Sequence, residues 1–122
     1  MSWSIRFCTE FVHDFEAFEE SVQDRLLGHL RLLQVEGPSL GRPYVDTLKG
    51  SSHPNMKELR FTVRNGVWRV AFAFDPTRQA VILVAGEKSN VREHRFYQRL
   101  IRLADDRLDN HLSKGEENVQ DT

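Results

Sequence analysis

The chain has 122 residues with 39% hydrophobic and 29% charged side chains, which suits a single soluble domain and excludes a two-core protein or a disordered polymer. Lys and Arg number 17 against 18 Asp and Glu, so overall charge alone selects no partner. No apolar run approaches the roughly 20 residues that cross a bilayer, and the N-terminus lacks a secretory pattern. Cys8 stands alone, which excludes an internal disulfide and fits a cytoplasmic protein.

In chain order, Trp3, Ile5 and Phe7 alternate with Ser4, Arg6 and Cys8, the period of a strand with one buried face. Phe15, Phe18, Val22, Leu26, Leu30 and Leu33 then recur every three or four residues, predicting one helix from about Asp14 to Val35. Its acidic first half suits the positive end of the helix dipole, and Gly37-Pro38 closes it. Lys57–Val63 reads as a strand, Arg64-Asn65-Gly66 as a turn with a hairpin signal at Asn-Gly, and Val67–Phe74 as the returning strand. After the turn Asp75–Gln79, the continuous apolar run Ala80–Ala85 reads as a strand covered on both faces. A last helix is expected from about Arg92 to Leu112, with Ser113–Thr122 a polar, disordered tail. These elements predict an α+β domain over residues 1–112. It would be a twisted antiparallel sheet of about four strands, meandering, with an N-terminal and a C-terminal helix packed on one face.

Charge becomes informative when taken regionally. Residues 42–102 hold 12 basic and only 5 acidic side chains, whereas the flanks hold 5 basic and 13 acidic ones. A basic middle between acidic ends is a field that steers an anionic polymer to one surface. Within it, Lys57, Arg60, Arg69 and Lys88 lie on or beside strands, where a shared cleft would bind phosphate. Strand alternation puts Lys57 and Arg60 on opposite faces unless a bulge re-aims one of them. Exposed ion pairing is the ordinary role for each taken singly. The five histidines are scattered without metal-ligand spacing, and no Gly-rich phosphate loop or nucleophile elbow is present, so neither metal nor cofactor is expected. Cys8 in an alternating strand is expected to be packed, and Asp105-Asp106, at neighbouring helical positions, to point apart rather than form an acid–base pair.

From Gly37 to Leu112 the sequence resembles RelE/HigB-type toxins of bacterial type II toxin–antitoxin modules, in their phage-derived branch. The resemblance is carried by Leu40-Gly41-Arg42-Pro43, Leu48-Lys49-Gly50, Lys57-Glu58-Leu59-Arg60, Trp68-Arg69-Val70, Val84-Ala85-Gly86-Glu87-Lys88, Phe96-Tyr97 and Ala104-Asp105-Asp106-Arg107-Leu108. It implies a metal-independent endoribonuclease that cuts messenger RNA at the ribosomal A site by 2′-hydroxyl attack and so stops translation. On this chain it implies Arg69 and Lys88 for transition-state charge stabilisation, and Lys57 and Arg60 for RNA binding or as a tuned base. His94 or Tyr97 is implied for the remaining proton transfer, with Lys49, Arg64, Arg92 and Arg95 as further RNA contacts. Glu87 beside Lys88 departs from the more basic pair of the family. The implied partners are messenger RNA, the ribosome and a small helix-turn-helix antitoxin encoded next door. Two other readings share the fold: a ParE-like gyrase poison, and a catalytically inactive module that only engages an antitoxin.

Overall fold

The computed structural model describes residues 2–88 and 92–120, with side chains described through Lys114. Five strands and three helices follow one another: β1 (Ser4–Phe7), α1 (Thr9–Ala17), α2 (Glu20–Glu36), β2 (Val45–Thr47), β3 (Met56–Val63), β4 (Gly66–Phe74), β5 (Gln79–Glu87) and α3 (Glu93–Gln120). The strand order is β1-β5-β4-β3-β2. β2 to β5 pair antiparallel, but β1 runs parallel to β5. The sheet is therefore mixed and has one strand more than the expected four. The extra strand, β2, has only three residues and no apolar alternation, so periodicity could not announce it.

The single N-terminal helix expected from Asp14 to Val35 is two helices. Phe18 and Glu19 are extended between them, and the Gln23 amide donates to the Phe15 carbonyl at 2.7 Å, satisfying one backbone acceptor that the break exposes. The apolar period runs unbroken through the interruption because Phe18 stays buried-facing: its ring packs against Trp68 of β4 at 5.2 Å and near Phe11 and Phe15. Gly37 closes α2 in the left-handed region at φ 58, where a side chain would also strike Trp3.

The hairpin falls within the expected turn, one residue ahead of the Asn-Gly pair. Val63 pairs with Gly66, so the turn residues are Arg64 and Asn65, with Arg64 at φ 56, and Gly66 already belongs to the strand. β5 is interior and buried on both faces, as its apolar run suggested. Its pairing with β4 jumps from Ala71–Val84 to Phe72–Ile82, so Leu83 is an extra, bulged residue. The Leu83 carbonyl accepts from the Arg107 guanidinium at 2.8 Å and from the Cys8 thiol at 3.5 Å.

The helices lie on both faces of the sheet, not on one. Neighbouring strand residues point to opposite faces: Trp68 meets Phe18 at the α1–α2 junction, while Arg69 lies under Tyr97 of α3. The core under α1 and α2 includes Phe11, Leu26, Leu33, Leu59, Val70 and Phe72, all fully buried. α3 is fastened by Arg107, whose Nη1 also bonds Asp14 at 2.6 Å, and by Leu100, Ala104 and Leu108 in the core. It continues past Leu112, the end expected from sequence, to Gln120. None of the described helices is long and apolar enough to cross a membrane.

Candidate active site

The α3-covered face of the sheet gathers charge on alternate residues of two adjacent strands. Arg60 of β3 and Arg69 of β4 are register partners directly across the ladder, and like charges so placed repel. Glu58, two residues before Arg60 and on the same face, offsets that cost. Its carboxylate is 2% exposed and accepts from Arg60 Nε at 2.7 Å and Nη2 at 2.5 Å. Hydrogen bonding to Glu58 raises the Arg60 pKa further above its ordinary value, so this guanidinium is permanently charged. Asp46 of β2 stands 4.0 Å from Arg60 and also pairs with the exposed Arg42. About half of the Arg60 side chain stays open to solvent, and a further anion can reach it.

Tyr97 of α3 closes the set. The Arg69 guanidinium lies 5.5 Å from its ring centre, a cation–π arrangement. Burial first, and the adjacent Glu58 carboxylate second, push the Tyr97 phenol up to about 12. At neutral pH it is therefore a hydrogen-bond donor and not a base. Two buried polar atoms in this cluster lack a hydrogen-bond partner, Glu58 Oε2 and Arg69 Nε. One is an acceptor and the other a donor. α3 approaches this closely because Gly86, opposite Arg69 on β5, has no side chain; a Cβ there would press on the Phe96 ring at 3.0 Å.

Tyr97 also lines an open cleft of about 800 Å³ between the loop 48–52 and α3, together with Lys49, His94 and Arg102. The far end of the cleft is acidic, with Asp105, Asp106 and Asp109. Asp105 and Asp106, expected to point apart, both line this cleft, and Asp105 is the anchor of the loop. It accepts from the Ser51 hydroxyl at 2.5 Å and the Ser52 amide at 3.0 Å. Burial works against its charge, but those two bonds outweigh burial and hold the carboxyl below its usual pKa. His53 Nε2 meets Asp109 at 2.8 Å and secures the loop a second time.

The residues singled out from sequence thus divide. Arg60, Arg69 and Tyr97 come together, with His94 and Lys49 on the adjoining cleft. Lys88 follows the last residue of β5, and its amide continues the ladder by donating to the Val67 carbonyl at 3.1 Å; among the described contacts its side chain does not meet the cluster. Lys57 does not join. No bulge interrupts β3, so Lys57 faces the other way, donating to Thr47 Oγ1 at 3.1 Å beside Phe74. Arg64 sits at the hairpin tip within 3.9 Å of Glu19, an exposed pair. Arg92 is exposed just before α3, and Arg95 lines a separate hollow with Glu87 and Arg99 on another side of that helix. Glu58 was missed. Its shared parity with Arg60 was readable, but nothing local says that a carboxylate in an exposed-looking Lys-Glu-Leu-Arg run will be the buried one.

Residues 13–109 match the model of the phage-derived Gp49-like protein family. Over 90 residues, 72% of this chain, the sequence is 47% identical to HigB2, a candidate toxin of Mycobacterium tuberculosis, and the match spans 44% of that protein's length. It is 41% identical over 99 residues to HigB3, a candidate toxin of the same organism, covering 81% of this chain and 84% of HigB3. The fold matches that of a double arginine-to-alanine variant of the E. coli toxin RelE in the free state, with a TM-score of 0.57 at 13% identity. That match covers 83% of this chain and 95% of the other.

Proposed function

This chain belongs to the phage-derived Gp49-like family and is a RelE/HigB-type toxin of a toxin–antitoxin system, and from that premise we propose that it is a metal-independent endoribonuclease acting on messenger RNA. The observation that carries the reading is the in-register pair Arg60–Arg69 on the α3-covered face, with buried Glu58 and high-pKa Tyr97 against it. Its site of action is the cytoplasm, on messenger RNA held in the ribosomal A site, and its inhibitor is an adjacently encoded helix-turn-helix antitoxin.

The reaction uses the RNA's own 2′-hydroxyl. That oxygen bonds to the adjacent phosphorus as its proton leaves, the bond to the 5′-oxygen breaks, and the departing oxygen takes up a proton. The products are a 2′,3′-cyclic phosphate and a free 5′-hydroxyl. Charge on the phosphorane is greatest in the transition state, so fixed cations lower the barrier. Arg69 and Lys88 serve the non-bridging oxygens, and Arg60, fixed in orientation by Glu58, grips the same or the next phosphate. Tyr97 donates a hydrogen bond, since its phenol does not ionise at neutral pH. His94, on the cleft wall, exchanges the protons, the role that an imidazole fills best near neutrality. Lys49 and Arg102 hold flanking phosphates along the cleft.

The test is to incubate the purified chain with messenger RNA, with and without ribosomes, and to map the new 5′ ends. Cuts in phase with codons are expected only with ribosomes. The double variant Arg69→Ala, Lys88→Ala should lose at least about a hundredfold in cleavage, the scale of removing one or more transition-state donors. Toxicity retained in that variant with broken DNA would favour the gyrase-poison reading. Overproduced wild type that leaves growth and translation untouched would favour the inactive module.

A further inference from the structure

Beyond the bulge at Leu83, one edge of β5 is left without a neighbouring strand. Before the bulge, the Ser4 amide donates to the Arg78 carbonyl and the Cys8 amide to the Ile82 carbonyl, so the even-numbered residues Ala80 and Ile82 bond β1. Past it the parity flips. The Lys88 amide donates to Val67 of β4, so Gly86 and Val84 bond β4, and Ala85 and Glu87 turn their N–H and C=O groups to the other edge. β1 pairs only as far as Ile82 and then passes into α1, so no strand among the described residues meets those outward groups. The Leu83 carbonyl, by contrast, is taken by Arg107 and Cys8.

The open edge is the floor of a slot of about 520 Å³ between α1 and α3. Ala17 and Phe18 form one wall, and Arg95, Phe96, Arg99 and Leu103 form the other. Arg95 and Arg99 are exposed and form no ion pair among the described residues. The carboxylates at hand are engaged or turned away. Asp14 holds Arg107 at 2.6 Å, and Glu10 accepts from Asn110 at 3.3 Å. Glu87 leans over Gly66 of β4, which lies on the far side of β5 from the slot.

From this geometry we infer that β5 from Ala85 to Glu87 takes an extended segment of the antitoxin as an added strand, in line with β1 and with carboxylates on the positions that face α3. The assignment rests on the toxin–antitoxin reading. The backbone selects the conformation of the occupant. Alternating donors and acceptors at strand spacing match an extended chain, whereas a helix uses its own N–H and C=O groups internally. The walls select its side chains. One set of alternate residues meets Ala17 and Phe18, which suits apolar groups, and the other meets the unpaired guanidinium groups of Arg95 and Arg99, which suits carboxylates. Symmetric pairing of two copies through this edge is blocked, because each β5 is recessed between its own α1 and α3. RNA phosphates would pair with the arginines but supply no peptide ladder for Ala85 and Glu87. The slot and the cleft beside Tyr97 lie on different flanks of α3, so a strand seated here holds the toxin without filling the RNA site.

The experiment follows single-residue amide hydrogen exchange by NMR in the full-length chain, free and saturated with the purified antitoxin. In the free chain Val84 and Gly86 should exchange slowly and Ala85 and Glu87 faster. Binding should slow Ala85 and Glu87 at least tenfold. Arg99→Glu should weaken the affinity at least tenfold in biolayer interferometry, by less at high salt, with an unchanged melting temperature. Antitoxin that binds tightly without slowing Ala85 and Glu87 would overturn the added strand and leave the toxin–antitoxin reading standing. A wild-type chain that binds no antitoxin would sink that reading and the slot with it. Slowed exchange together with wild-type affinity in Arg99→Glu would refute the carboxylate pairing. Slowing that grows with the concentration of the free chain would give the edge to a second copy, and slowing by a short oligoribonucleotide in place of the antitoxin would give it to RNA; either result refutes the assignment.

Discussion

Under α1 and α2, the strand residues Leu59, Phe61, Trp68, Val70 and Phe72 meet a layer of phenylalanines and leucines, with Phe61 and Trp68 stacked 6.2 Å apart. One residue along each of the same strands, the side chains turn to α3 and become Glu58, Arg60 and Arg69. The first face is stabilised by area removed from water, which is tolerant of exact geometry and costly to delete. The second face holds like charges in register, a cost that the buried Glu58 carboxylate offsets. The contrast separates residues that hold the fold from residues held by it.

Truncating the apolar face should have the largest effect. Phe72→Ala deletes a fully buried ring and should cost about 3–5 kcal/mol in urea unfolding; a loss under about 1 kcal/mol would mean this face is not the core. Arg69→Ala should behave oppositely, losing about a hundredfold or more in RNA cleavage with unfolding free energy nearly unchanged, because it also relieves repulsion with Arg60. Glu58→Gln lies between. It strips the buried partner from Arg60, but that arginine is half open to water, so about 1–2 kcal/mol is expected rather than the penalty of a fully buried pair.

Tyr97→Phe sharpens the contrast through pH. The folded phenol titrates near 12 and the unfolded one near 10.0. Its stabilising contribution is therefore complete below pH 10, and it is lost as pH rises through the folded value. Ultraviolet titration should show one tyrosine ionising late, a step absent in Tyr97→Phe, and the variant's stability should fall less steeply between pH 10 and 12. The smallest effect belongs to the rim. His53→Ala removes one partner of an exposed carboxylate, Asp109, and should cost under about 1 kcal/mol, read out as faster hydrogen exchange in the 48–55 loop.

Much of this architecture was legible before any coordinates. Alternation announced β1, β3 and β4, the apolar run announced an interior β5, and three-four spacing announced the helices. The basic cluster was legible as a regional charge imbalance, and parity correctly set Lys57 and Arg60 on opposite faces. These are local properties, because side-chain direction repeats with the backbone period of the element that carries it.

Other features depend on contacts between distant parts of the chain. The break at Phe18–Glu19 exists because Phe18 must reach Trp68, fifty residues on, and no Gly or Pro signals it. The parallel pairing of β1 with β5, the bulge at Leu83 and the two-faced helix packing are likewise decided between elements. Burial of Glu58 depends on α3 lying across it, so the same Lys-Glu-Leu-Arg run could have been an exposed strand edge. Sequence by itself determined the elements, their inward faces and the excess of positive charge in the middle of the chain. Only the tertiary structure decided which cations face one another across the ladder, since convergence of side chains depends on the distances between elements, and periodicity within one element carries no information about those distances.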